Sequence, residues 1–188
     1  GLTTIIDVHE IPGYCRWSCS PKELYLWDKD AGANARGLLI NTWRQLAQAF
    51  SGYPDTRVIH EPLNEPEPWF TSVDQSGNPP VVPYLDREDQ SVLWYELQDR
   101  ILQEIRTYDP RKIVMVQPVE SWRATFPVNW AVSAAIRTDG RVWGTVHFYH
   151  PHDFTHQSSS YQTYPGTFDA DIGATEWWDK SRLVRVLD

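Results

Sequence analysis

Strand-like and helix-like segments alternate along this chain, and no other feature restricts its fold as strongly. Apolar runs of strand type occupy residues 4–8, the stretch from Thr56 that closes on Leu63-Asn64-Glu65-Pro66, residues 113–116 and residues 141–146. Between them apolar residues recur at helical spacing: Leu38, Leu39, Trp43, Leu46, Ala47 and Phe50 within 34–50, and Leu93, Leu97, Ile101, Leu102 and Ile105 within 89–108. Ser51-Gly52-Tyr53-Pro54 stops the first helix and Asp109-Pro110 the second. Further helices are expected within 123–136, where Pro127 blurs the start, and over 175–187, where one residue of Trp177-Trp178 should be buried. Strands separated by connections of crossover length pair in parallel within one sheet. The expected class is therefore α/β, with four parallel strands and two edges left unpaired.

Each strand closes on polar residues. His9 and Glu10 follow the first, Asn64-Glu65 ends the second, Gln117 and Glu120 follow the third, and His147 and Tyr149 follow the fourth. The C-terminal ends of parallel strands share one face, which in α/β barrels is where catalytic side chains collect. Glu65 is the candidate catalytic carboxylate, Asn64 is placed to orient a substrate hydroxyl, and Pro66 stops the strand. On that stretch alone, a strand-end turn carrying a solvated glutamate is the competing reading.

Composition narrows the partners. Ten Trp, nine Tyr and six Phe supply flat faces that stack on sugar rings or fill cores. A net charge of -8 argues against nucleic acid, whose phosphates need a basic footprint, and against an anionic membrane surface. A neutral substrate fits best. There is no apolar run of transmembrane length, no signal peptide and no internal repeat. The chain opens inside what reads as a buried strand, so upstream sequence is expected to precede Gly1. Residues 67–86 exceed an ordinary connection and are expected to form a binding loop or a floppy one. No cofactor is expected. His147, His150, His152 and His156 are close in sequence, but a polar loop after a strand explains them better than a metal site. Cys15 and Cys19 are read either as a small loop disulfide or as two free thiols.

Four stretches together resemble glycoside hydrolase family 5, the cellulase family of retaining enzymes on (β/α)8 barrels. Asp7-Val8-His9-Glu10-Ile11-Pro12-Gly13 is similar to the family's third-strand exit, and Leu63-Asn64-Glu65-Pro66 to the fourth. Arg106-Thr107-Tyr108-Asp109-Pro110-Arg111-Lys112-Ile113 resembles the run into the fifth strand. His147-Phe148-Tyr149 with Phe154-Thr155-His156-Gln157 resembles the sixth-strand exit of its endoglucanases. The resemblance implies that residues 1–188 are a single partial catalytic domain, the middle of a (β/α)8 TIM-type barrel, with the first two and last two β/α units missing.

The same resemblance assigns roles. Glu65 would be the general acid/base and Asn64 would hold the sugar 2-hydroxyl. His9 and His147 would line the cleavage subsite, and Tyr149 would hydrogen-bond the nucleophile. A retaining glycosidase needs two carboxyl groups roughly 5 Å apart, and no residue here is a convincing nucleophile. Glu61 lies inside the strand and Glu120 has no readable direction. The isolated chain is accordingly expected to turn over little, while its parent would be a secreted endo-β-1,4-glucanase acting on a β-linked polysaccharide or oligosaccharide. A β-mannanase or xyloglucanase, or a non-catalytic carbohydrate-binding remnant, are the alternatives. Trp17, Trp27, Trp69 and Trp122 lie in or near strand-exit loops and are candidates for stacking on glucosyl rings, each equally open to a packing role. Trp43, Trp94 and Trp143 are expected in the core. The unpaired sheet edges leave self-association open.

Overall fold

Isoleucine and valine, whose branched side chains suit a pleated surface, fill the strands of a four-stranded parallel sheet. Its members are β1 (Thr4–Asp7), β2 (Val58–Glu61), β3 (Ile113–Val116) and β4 (Val142–Gly144), and they lie in that order. The computed structural model describes residues 1–14, 25–27, 32–66, 87–118, 134–149, 151–156, 163–169 and 175–187. The described residues divide into two units, the first within 1–118 and 134–145 and the second within 146–187.

In the first unit, Thr4 pairs with Val58, Ile59 with Ile113 and Val114 with Val142. Helices α1 (Ala33–Phe50) and α2 (Arg87–Tyr108) pack on each other. The expected periodicity is met in part: Leu39, Trp43 and Ala47 of α1 and Leu97, Ile101, Leu102 and Ile105 of α2 are buried, together with Ile40 and Trp94, while Leu38 is exposed. Each large side chain so buried contributes about 1.5–3 kcal/mol. A short helix, α3 (Ala134–Thr138), precedes β4. Among the described residues no helix is long and apolar enough to cross a membrane.

Two expectations about the outer strands fail for one reason. β1 was expected to be buried, yet Ile5 is 48% exposed, and Trp143 of β4, expected in the core, is 52% exposed. Both strands are sheet edges with a single neighbour, so fewer side chains flank them than flank β2 and β3, and Ile6 and Val142 are only partly buried.

Below the sheet lies a buried polar network that no hydrophobic pattern announces. Lys112, immediately before β3, is fully buried and spends all three donors: Nζ bonds Phe50 O at 3.2 Å, Tyr53 O at 2.8 Å and Asp109 Oδ1 at 3.0 Å. The cation thereby caps the C-terminal end of α1, where carbonyls lack intrahelical partners. Arg106 bonds Asp139 Oδ2 and the Lys112 carbonyl, tying α2 to the start of β3 and to the turn before β4. Burial works against charge on Asp139, but bonds from Arg106 and the Arg141 N–H hold its carboxyl below the ordinary range.

His60 of β2, also fully buried, places Nε2 at 3.2 Å from Asp109 Oδ2 and packs edge-on to the Trp43 ring. Its Nδ1 has no hydrogen-bond partner, so a proton there would be a buried orphan donor. Burial pushes its pKa below the ordinary 6.5; Asp109 opposes the shift, while Lys112 and Arg106 add to it. The unfolded chain takes up this proton near pH 6.5 and the folded chain only at lower pH. His60 thus favours folding above that value, and the contribution fades as pH falls through the folded pKa. The urea midpoint should decline from pH 7 towards pH 5, and His60→Gln should flatten that part of the curve. Parallel curves for the two proteins would rule His60 out as the cause.

The second unit shows a further departure. Residues 175–187, expected to be one helix, form strand β6 (Thr175–Trp178), antiparallel to β5 (Gly166–Asp169), and then α5 (Lys180–Leu187). A four-residue helix, α4 (His152–Thr155), precedes the hairpin. Asp179 accounts for the break: its Oδ1 accepts the Arg182 N–H at 2.9 Å, an N-cap that starts the helix after the tryptophans. Trp178 is 3% exposed and Trp177 59%, so one of the pair is buried, by strand alternation rather than helix facing. Phe168 joins Phe154 with ring centroids 5.7 Å apart, and Arg182 lies over the Trp178 ring.

Candidate active site

The backbone after β2 builds the site. Strand pairing ends at Glu61, four residues earlier than Glu65, because Pro62 lacks the N–H that would continue the ladder. Glu65 therefore stands on a post-strand segment, 8% exposed, with φ 42°, in the left-handed region that costs a non-glycine residue about 1–3 kcal/mol.

The segment is held at almost every peptide. Trp43 Nε1 donates to Pro62 O at 2.8 Å, and the Asn64 N–H donates to Val8 O at 3.0 Å. The Glu65 N–H donates to Gln117 Oε1 at 2.9 Å, and Tyr14 Oη donates to Glu65 O at 2.6 Å. Tyr14 reaches that carbonyl because Gly13, at φ 88°, turns the chain so that Ile11 and Tyr14 exchange backbone bonds.

Asp7 and His9, two apart on extended chain, point to the same side. His9 Nδ1 lies 3.0 Å from Asp7 Oδ2, and His9 Nε2 lies 3.3 Å from Asn64 Nδ2. A ring with its proton on Nδ1 donates to Asp7 and accepts from Asn64. The result is a chain of polar groups from β1 to the residue beside Glu65.

Of the expected site residues, His9, Asn64 and Glu65 come together in the first unit. His147 and Tyr149 come together in the second, with Tyr149 Oη 3.3 Å from His147 Nδ1 and the Tyr149 ring 5.1 Å from that of His156. Trp27 is corrected: it is 3% exposed, enclosed by Tyr14 and Trp94 at centroid distances of 5.7 and 6.0 Å, so it packs and offers no face to a sugar. Trp17, Trp69, Trp122, Glu120, His150, Cys15 and Cys19 lie outside the described residues.

The model of the cellulase family, glycosyl hydrolase family 5, matches residues 1–183. The chain belongs to this family. A comparison with curated proteins gives no match. Among solved structures, a hyperthermophilic endo-β-1,4-glucanase in complex with substrate is 26% identical, with a TM-score of 0.51 over 72% of this chain and 36% of its own. A glycoside hydrolase 19% identical aligns at TM-score 0.61 over 98% of this chain and 49% of its own. The endoglucanase Cel5A of Thermotoga maritima, 22% identical, aligns at 0.55 over 84% and 39%. The chain thus spans less than half the length of these relatives, and its four parallel strands with their helices form a partial family 5 barrel.

Tyr14, and the partners of Gln117, escaped sequence reasoning. Tyr14 follows a Pro-Gly turn and looks like loop. Gln117 is visible as a polar strand exit, but its partners are not. Its Nε2 donates to Glu61 Oε1 at 2.6 Å, while its carbonyl accepts from Trp94 Nε1 and Gln98 Nε2, both at 2.9 Å. The only signal was the buried polar residue itself, closing an apolar strand.

Proposed function

We propose that the full-length protein is a secreted, retaining endo-β-1,4-glucanase in which Glu65 is the general acid/base. The observation that carries this reading is the presentation of Glu65 beyond the C-terminal end of β2, beside Asn64 and the His9 chain, in a family 5 chain. Glu65 protonates the glycosidic oxygen as the bond breaks and then deprotonates the water that releases the glycosyl-enzyme. Asn64, with Nδ2 turned to His9, keeps Oδ1 to accept from the sugar 2-hydroxyl. His9 lines the cleavage subsite, and we assign the nucleophile to no residue of 1–188. The isolated chain accordingly turns over little. Secretion is part of the reading by family resemblance.

The test is stereochemical. Proton NMR of the full-length protein acting on cello-oligosaccharides should show the β-anomer appearing first. First appearance of the α-anomer, or sugar binding without hydrolysis of any β-linked glycan, would overturn the reading. Faster cleavage of mannan or xyloglucan than of β-1,4-glucan would overturn the substrate.

A further inference from the structure

We propose that Gln117 and Tyr14 are positioning residues that hold Glu65 in its left-handed backbone conformation and so aim its carboxyl group at the bond to be cleaved. The inference rests on the acid/base reading of Glu65.

Three observations carry it. Glu65 alone among the described non-glycine residues has a positive φ, a conformation that persists only where the surroundings over-determine it. Both of its backbone polar groups are held by side chains rather than by strand pairing: the N–H by Gln117 Oε1 at 2.9 Å and the carbonyl by Tyr14 Oη at 2.6 Å. Finally, both clamps are themselves immobilised. Gln117 is 1% exposed and its backbone carbonyl is fastened to α2 by Trp94 and Gln98. Tyr14 is 2% exposed and packs against Trp27.

The chemistry of the amide explains why glutamine stands at 117. Its NH2 faces the Glu61 carboxylate at 2.6 Å, which turns its oxygen to the Glu65 N–H. Turned over, the amide would set oxygen against carboxylate and NH2 against N–H. Glu61, inside the strand and unsuited as a nucleophile, thereby acquires a role: it selects the amide orientation that grips the acid/base residue. The grip acts through the main chain, so it moves where the carboxyl group points without touching substrate.

The experiment compares kcat/KM on β-1,4-glucan with kcat/KM on a dinitrophenyl cellobioside, whose leaving group departs without a proton. It is done in the full-length protein, with melting temperature recorded. Gln117→Met should lose about tenfold to about a hundredfold on glucan, the range expected for a small misplacement of a reacting group, and should spare the aryl substrate. Tyr14→Phe, which removes one oxygen and keeps the ring, should show the same selectivity and serves if Gln117→Met does not fold. In Gln117→Glu, a protonated side chain can donate to Glu61 and still accept from the Glu65 N–H. The ratio of glucan to aryl activity should therefore match wild type while that proton is bound, and fall once it leaves and the two carboxylates repel each other. Equal losses on both substrates, or none, in the folded variants would overturn the proposal. Glu65→Gln in the same assays separates the two readings. If it spares glucan, the acid/base assignment itself fails. If it loses glucan activity while the Gln117 and Tyr14 variants are unchanged, only the clamp fails.

Discussion

Glu65→Gln in the full-length protein is expected to lower kcat on unactivated β-1,4-glucan by about 10²–10⁴-fold, the usual worth of a positioned general acid. The substitution removes the group that gives and later takes the proton and keeps the size of the side chain. Glutamine has the shape of the glutamic acid it replaces, and the bonds from Gln117 and Tyr14 engage the main chain at 65, not the side chain. Melting temperature should therefore stay close to wild type. Leaving-group dependence is the diagnostic feature. For a dinitrophenyl cellobioside, kcat/KM reports formation of the glycosyl-enzyme and needs no acid, so it should be nearly preserved. Its kcat should fall, because water attacking the glycosyl-enzyme still needs a base at 65. Azide attacks without one and should restore that kcat, yielding a glycosyl azide of retained configuration. Uniform loss on both substrates, with no response to azide, would remove Glu65 from this role.

The second large effect concerns folding. Asp109→Ala should destabilise the protein by about 3–5 kcal/mol, because breaking a buried ion pair leaves its partner charged and uncompensated. Asp109 is 3% exposed and accepts from Lys112 Nζ at 3.0 Å on one oxygen while facing His60 on the other. At roughly 2–4 °C per kcal/mol for a chain of this size, the melting temperature should drop by on the order of 10 °C. Adding Lys112→Met should recover part of the loss, since the orphaned ammonium is then gone and an apolar chain of similar length fills the space. The bonds that Lys112 makes to Phe50 O and Tyr53 O limit the recovery. A thermal scan in which Asp109→Ala melts within a degree of wild type would show the network to be dispensable.

That network also gives the family resemblance a physical basis. The run from Arg106 to Ile113 matched as a string, and the structure shows what its residues do. Arg106 binds Asp139 and the Lys112 carbonyl, Asp109 accepts from Lys112 and faces His60, and Lys112 closes the end of α1. A sequence pattern of this kind marks where burial without hydrophobicity is needed. It does not name the partners, because those lie 33 to 62 residues away along the chain for the longer contacts.

What the sequence determined by itself is the order of elements in the first unit, the parallel sheet, and the gathering of polar residues at strand exits. Those depend on local quantities: the spacing of apolar residues in α1 and α2, the branched residues of β1 to β3, and the prolines at 54, 62, 66 and 110. It also indicated Glu65, Asn64 and His9 as neighbours of one rim. Only the tertiary structure decided whether a face is covered, which sent Trp27 into the core and left Trp143 in the open. It alone decided that an Asp179 cap, rather than continuous helical periodicity, governs residues 175–187. It alone revealed that the main chain at Glu65 is twisted into an unfavourable region and gripped by Gln117 and Tyr14. The reason is the same in each case: coverage and hydrogen-bond partnership are relations between residues distant in the chain, and periodicity records only how each residue relates to its near neighbours.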